Sequence, residues 1–326
     1  MSLEADIIVD RRRMRRKLTF WRAVAILIVI AVLIGGAMLA TGQRGILTGT
    51  SGAIARVTIE GLIRSSRDRT EALGRLAKSN APAVIVHINS PGGTVAGSEE
   101  LFDALARVRD KKPMVVVVDG LAASGGYIAA MASDRIIASQ SSIVGSIGVI
   151  FQYPNITELL SAVGVHVESI KSTPLKAAPN GLEPTSPEAR AAVESLVMDS
   201  YDWFKGLVRD RRHMDSALLQ KVSDGRVFTG RQAIGLKLID ALGDEHAAIE
   251  WLAKEKKIDP NTPVRDYPLR RRFSDLPFLH VAMLGLLDAV GLNGLAERLR
   301  DWGTIQAVER LNLDGLLALW HPPTGN

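Results

Sequence analysis

The sequence predicts an α/β protein, a mostly parallel sheet covered by helices and preceded by one transmembrane helix. Three observations carry that reading. Short apolar runs rich in Val and Ile alternate with helical patterns between residue 54 and about residue 258. One of them, Met114 to Val118, reads MVVVV, the unbroken run of a strand buried on both faces. Finally, Ala23 to Ala40 is eighteen residues without a charge, Asn, Gln or Pro. At about 1.5 Å per residue that span covers roughly 27 Å, enough to cross a bilayer.

In chain order, residues 1–22 form a basic segment and 23–40 the anchor. Six basic residues between Arg11 and Lys17, with Arg22, stand before the apolar span, and only Arg44 lies close behind it. The positive-inside rule therefore keeps the N-terminus cytoplasmic and sends everything after residue 45 outside; in a bacterium this means the inner membrane, with the main domain periplasmic or extracytoplasmic. Met38 stands where a leader cleavage site wants Ala, which favours a retained anchor over a cleaved leader.

A Gly/Ser/Thr-rich linker, 41–53, leads into the domain at 54–258. Strands are predicted at 54–59, 83–88, 114–118, 135–138 and 165–170, and helices at 70–78, 96–109, 124–132 and 156–163. Ser186-Pro187-Glu188 combines an N-cap, a Pro at the first helical position and an acid in the first turn, opening a long amphipathic helix to Arg212. Helical stretches follow at 215–222, 230–238 and 245–257. In the extension, 259–326, Pro260, Pro263, Pro268 and Pro277 break the chain, and helical pieces are predicted at 281–290 and 311–320. This extension reads either as a tail packed on a neighbour or on lipid headgroups, or as a small helical subdomain.

Composition removes several functions. At 47% hydrophobic residues over 326, a sizeable core is available and disorder is excluded as the main state. The absence of cysteine excludes disulfides, thiolate nucleophiles and Cys-ligated zinc. The net charge of +5 resides in residues 1–44, which hold eight basic and three acidic groups; the rest carries 32 of each. No basic footprint for nucleic acid remains in the body of the chain.

Two glycine-rich turns follow buried strands: Asn89-Ser90-Pro91-Gly92-Gly93 and Ala123-Ser124-Gly125-Gly126. Loops at the carboxyl ends of parallel strands converge on one crevice, and glycine lets backbone N–H groups approach a ligand oxygen. Ser124, opening a helix, reads either as an N-cap or as a nucleophile whose oxyanion is held by the N–H of Gly125 and one from Gly92 or Gly93. The string around it lacks the first glycine of the G-x-S-x-G elbow, which weighs against an α/β-hydrolase. None of the six histidines, His87, His166, His213, His246, His280 and His321, lies in a loop with an acid and a glycine turn. A lysine kept neutral by burial can replace histidine as base. Lys171 and Lys176 stand in a stretch, Ser169 to Leu182, that holds no acid; each reads either as a solvated loop lysine or as the base, and the small and apolar neighbours of Lys176 favour it over Lys171.

These residues together resemble the signal peptide peptidase A family of membrane-bound serine proteases. The likeness is carried over about 54–258 by INSPGG, DGLAASGGYIAAMASDRIIA, SIVGSIGVI and IKSTPLKAAPN. It implies the ClpP/crotonase fold and a Ser-Lys dyad, with Ser124 as nucleophile, Lys176 as general base, and Gly92, Gly93 and Gly125 as oxyanion donors. It further implies that Ser146 hydrogen-bonds the lysine amine, and that no cofactor or metal takes part. Copies of the chain would assemble into a homo-oligomeric ring in which serine and lysine come from adjacent subunits, digesting signal peptides or other apolar membrane-associated peptides. A crotonase-like acyl-CoA enzyme and a non-catalytic membrane scaffold of the same fold are the alternatives.

Overall fold

A computed structural model describes residues 52–269 and 317–320, with Trp21, Arg22, Val24 and Ile28. The chain divides into two compact units, Met1–Ser51 and Gly52–Asn326, and the second holds everything that follows. The span 23–40, apart from Val24 and Ile28, lies outside the described residues, as does the helical piece expected at 281–290. Among the described residues no helix is long and apolar enough to cross a membrane.

The centre of the fold is a mostly parallel sheet. Its strands are β1 (Ile54–Glu60), β2 (Val84–Ser90), β4 (Met114–Ala123), β5 (Arg135–Ala138), β6 (Ile143–Gly145), β7 (Val227–Thr229), β8 (Ala241–Leu242) and β9 (Val264–Asp266). They run in the order β7-β6-β4-β2-β1-β9, with β5 bonded to β4 and β8. Only the β6–β7 pairing in this sheet is antiparallel. A separate short strand, β3 (Gly92–Thr94), pairs antiparallel with β10 (Leu317–Leu319).

The Val/Ile runs are explained by burial on both faces. On β2 and β4, Val84, Val86, Ile88, Val116 and Val118 point into the main core, while Ile85, Val115 and Val117 point into a second cluster. Helices α1 (Arg67–Ala77) and α2 (Val95–Arg109) cover the first face with Leu73, Leu76, Leu101 and Leu105. On the other, α8 (Glu245–Lys256) contributes Ala248 and Leu252.

Between β4 and β5 lies α3 (Gly125–Ala130); α4 (Thr157–Ala162) follows β6. The long α5 (Pro187–Arg212) is capped by Ser186, whose Oγ accepts from the N–H of Ala189. Its first turn buries Ala189, and its C-terminal part buries Phe204 and Val208. Arg211 secures that end by donating to the carbonyls of Met131 and Ser133, both at 2.8 Å. The helices α6 (Ser216–Val222) and α7 (Gly230–Gly235) complete the set, each N-capped, by Asp215 and Thr229 respectively.

Two elements differ from the sequence reading. Residues 165–170 form no strand: Val165 and Val167 alternate but Ser169 and Ile170 break the period, no neighbouring strand among the described residues bonds the segment, and Ile170 is fully exposed. Residues 317–319, read as the end of a helix, are a strand instead. An apolar run of five suits either period, and here the bonding edge of β3, far away in sequence, decides.

Candidate active site

Strand β4 changes partners along its length, bonding β5 through Val115–Val118 and β6 through Leu121–Ala123. This handover delivers Ser124 beside Gly145, whose carbonyl accepts the Ser124 N–H at 2.7 Å. The chain then turns sharply: Ser124 has φ 53° and ψ −117°, a conformation that costs a non-glycine residue about 1–3 kcal/mol. What holds it there is α3, every residue of which is buried. Tyr127, fully buried, ties that helix down by donating its hydroxyl to the carbonyl of Leu238 at 2.8 Å. Burial also pushes the Tyr127 phenol well above its ordinary range, so it stays a donor.

The strained elbow leaves the Ser124 hydroxyl buried, at 1% residue exposure, with no hydrogen-bond partner. It makes no capping bond to the helix it opens, so the N-cap reading fails. The contrast with other buried serines is sharp, since Ser90, Ser98, Ser133, Ser142 and Ser223 each donate to a backbone carbonyl. A buried polar group left unpaired costs about 1–3 kcal/mol, and such groups call for an explanation. An elbow that sacrifices both backbone comfort and a hydrogen bond presents a hydroxyl for chemistry.

The first glycine turn packs against the second. Ser90 organises it, donating to the carbonyl of Gly61 at 2.7 Å and accepting from the N–H of Gly92 at 3.1 Å. Gly92 has φ 102°, and a Cβ there would lie 2.7 Å from the amide nitrogen of Gly125. A Cβ on Gly93 would lie 1.8 Å from the carbonyl oxygen of Ile63. No side chain fits at either position, and the backbones of Gly92 and Gly125 approach as the sequence reading required.

Ser146 follows Gly145, so it stands one residue beyond the partner of Ser124. It is nearly buried, has φ 53°, and donates its N–H to the carbonyl of Arg226 at 2.8 Å. With Met198, Tyr201, Asp224, Leu319 and Trp320 it lines a cavity of about 450 Å³. Ser124, Gly92, Gly93, Gly125 and Ser146 are therefore gathered at one end of the sheet.

Lys176 is not part of that group. It lies exposed in the loop 171–180, and because Ser124 Oγ has no partner, no lysine of this chain bonds it. The expectation that no acid pins either loop lysine is corrected for Lys171, which forms an ion pair with Glu183 just past the acid-free stretch. That contact holds the Glu183 carboxyl below its usual range. Lys171 is thus committed, and Lys176 remains the loop's candidate base.

His87 does bond carboxylates, through Nδ1 to Asp119 and Nε2 to Glu245, both at 2.8 Å. Glu245 in turn binds Arg56 with both oxygens at 2.6 Å. This network joins α8 to the sheet and has no bond to Ser124. His213 is the left-handed residue that ends α5. Among the described residues no cluster could hold a metal ion.

Residues 106–259 match the model for peptidase family S49, and residues 64–144 match that for Clp protease. A protein of Synechocystis sp. that bears a protease name is 37% identical over 216 residues, covering 66% of this chain and 78% of that one. An Enterococcus faecium protein named signal peptide peptidase SppA is 34% identical over 56% of this chain and 53% of its own length. A protein of Methanocaldococcus jannaschii, also named a protease, is 32% identical over 57% of this chain and 60% of its own. The fold is ClpP-like, and the chain belongs to peptidase family S49, the signal peptide peptidase A family of serine-type peptidases.

Proposed function

We propose that this chain is a membrane-anchored endopeptidase that cuts apolar peptides through an acyl-enzyme, with Ser124 as nucleophile and Lys176 of an adjacent copy as general base. The observation that carries the reading is the buried, unbonded hydroxyl of Ser124, held in a strained elbow against the Gly92–Gly93 turn. In the first step Ser124 Oγ attacks the peptide carbonyl while the neutral Lys176 amine takes its proton. The N–H of Gly125 and that of Gly93 hold the oxyanion, the Gly92 N–H being given to Ser90 Oγ, each such donor contributing about 3–4 kcal/mol in comparable hydrolases. The lysine returns the proton to the leaving amine, and water then releases the acyl group. Ser146, beside Ser124, orients the incoming amine without adding a negative charge.

A base from a second copy is supported by the surface that carries Lys176. Leu159, Val163, Val165 and Ile170 are all exposed on α4 and the loop after it, an apolar surface of the kind that marks an interface. Copies assembled in a ring would bring that surface, and Lys176, to a neighbour's Ser124. The apolar span 23–40 and its basic flank anchor each copy in a bacterial inner membrane, with the catalytic domain on the extracytoplasmic side. Substrates in that setting are signal peptides left after secretion, or other membrane-associated apolar segments.

The test is labelling with a serine-reactive phosphonate followed by peptide mapping. The adduct is expected on Ser124, and both Ser124→Ala and Lys176→Arg should abolish peptide cleavage while the oligomer persists, since an arginine stays charged and cannot accept the proton. An adduct on another serine, or normal cleavage by Lys176→Arg, overturns the assignment.

A further inference from the structure

The arm that carries Lys176 has almost no core of its own. From Phe151 to Ser186 the one buried residue is Gly181, and neither core cluster draws a residue from this stretch. Polar contacts hold its shape instead. The Tyr153 hydroxyl and Thr185 Oγ1 share a hydrogen bond of 2.7 Å, and the Ile156 N–H donates to the carbonyl of Gly181 at 2.9 Å. Gly181 has φ 75°, and a Cβ there would lie 1.9 Å from the carbonyl oxygen of Pro154. Asn180 Oδ1 accepts from the N–H groups of Leu182 and Glu183, at 2.9 and 3.2 Å. The limb that leaves the loop, 180–185, is thereby fixed to residues 153–156.

The limb that enters the loop lacks such ties. From His166 to Leu175, no backbone N–H donates to a backbone carbonyl among the described residues. What joins this limb to the fixed one is the ion pair between Lys171 and Glu183, which closes the neck of the loop across twelve residues of sequence. The hydrogen bond from Lys171 above all, then one from Ser169, holds the Glu183 carboxyl below its usual range, so it is charged at neutral pH. Inside the neck the chain makes two overlapping turns. The Lys176 N–H donates to the carbonyl of Thr173 at 3.1 Å and the Ala178 N–H to that of Leu175 at 3.3 Å, with Ala177 left-handed at φ 56°. The turns set the direction in which Lys176 leaves the backbone, and the neck sets where the turns stand.

An ion pair on a half-exposed loop adds little to the stability of a fold, because solvent screens it and two long side chains lose freedom in making it. Its effect on geometry is larger, since it confines a segment that has few other contacts. Proton transfer needs the amine within hydrogen-bond reach of the serine, and a misplacement of about 1 Å can cost about 100-fold in rate. We infer that Lys171 and Glu183 are positioning residues for the reaction: their pair locks the neck of the loop, so that the Lys176 amine meets the adjacent copy's Ser124 in one orientation. The inference rests on the reading of Lys176 as general base. Both residues act through the loop that lies between them.

The experiment measures kcat and KM for an apolar peptide with the full chain in detergent, together with Tm and the oligomer seen by analytical ultracentrifugation. The chains compared are wild type, Lys171→Met, Glu183→Gln, Lys171→Arg, the exchanged pair Lys171→Glu with Glu183→Lys, and Lys176→Ala. Lys171→Met and Glu183→Gln are expected to lose about 10- to 100-fold in kcat, with KM, Tm and the oligomer unchanged. Lys171→Arg, which can still pair with Glu183, and the exchanged pair are expected to recover most of that loss. Full kcat in Lys171→Met and Glu183→Gln, beside an inactive Lys176→Ala, overturns the inference and leaves the base assignment standing. A loss that falls on KM, that follows Tm or the oligomer downward, or that the exchanged pair fails to recover overturns it too. Activity in Lys176→Ala removes the base assignment itself, and the inference with it.

Discussion

Helices α3 and α4 are both six residues long, yet every residue of α3 is buried and none of α4 is. The first follows Ser124 and the second opens the arm that leads to Lys176. The elbow is fixed wholly by its own chain: α3 is clamped by Tyr127, and behind it Arg211 ties the end of α5 to Met131 and Ser133. The arm, by contrast, presents Leu159, Val163 and Ile170 outward. One half of the proposed dyad is therefore finished inside a single chain, while the other half sits on a surface with apolar area to spare. On the proposed reading, this difference means that the fold and the reaction have different minimal units.

Mutations should separate the two regions. Phe204 is fully buried, and Phe204→Ala removes an aromatic ring from the main core. A loss of about 3–5 kcal/mol in unfolding free energy is expected by chemical denaturation; a loss near zero would mean that α5 does not help hold the core. Tyr127→Phe takes away one donor and leaves the Leu238 carbonyl buried and unpaired, at a cost of about 1–3 kcal/mol, readable as a fall in Tm.

A third change probes the network that joins α8 to the sheet. Hydrogen bonding from Arg56 above all, opposed by burial and aided by His87, holds the Glu245 carboxyl below its usual range. A carboxylate depressed in the folded state stabilises above its unfolded pKa of about 4.3, and that contribution fades as pH falls through the folded value. The stability gap between wild type and Glu245→Gln should accordingly be full near neutrality and close in acid; a gap that widens in acid would contradict the pairing. The smallest effect on folding is expected on the arm. Ile170→Ser, at a fully exposed position, should leave the unfolding free energy within about 0.5 kcal/mol while reducing the oligomer seen by analytical ultracentrifugation.

The buried half of the molecule was also the legible half. MVVVV announced β4 because a strand covered on both faces tolerates no polar residue, and the glycine turns were visible because no side chain fits at Gly92 or Gly93. The elbow at Ser124 was not readable from its string, since the positive φ is imposed by packing of α3 and not by a preceding glycine. The strand at 317–319 and the absence of one at 165–170 escaped for a shared reason. Each depends on whether a distant backbone edge is there to bond, and side-chain period does not report that. The Lys171–Glu183 pair was missed by a single residue of sequence distance.

The central proposal is that serine and lysine act across two copies, and mixing inactive variants tests it most directly. Ser124→Ala and Lys176→Ala chains, each inactive alone, are dissociated, combined in equal amounts and reassembled. Random placement around a ring pairs an intact serine with an intact neighbouring lysine at about a quarter of the sites, so about a quarter of wild-type peptidase activity should return. Activity that stays at the background of the separate variants, in a mixture shown to contain mixed oligomers, would contradict the account.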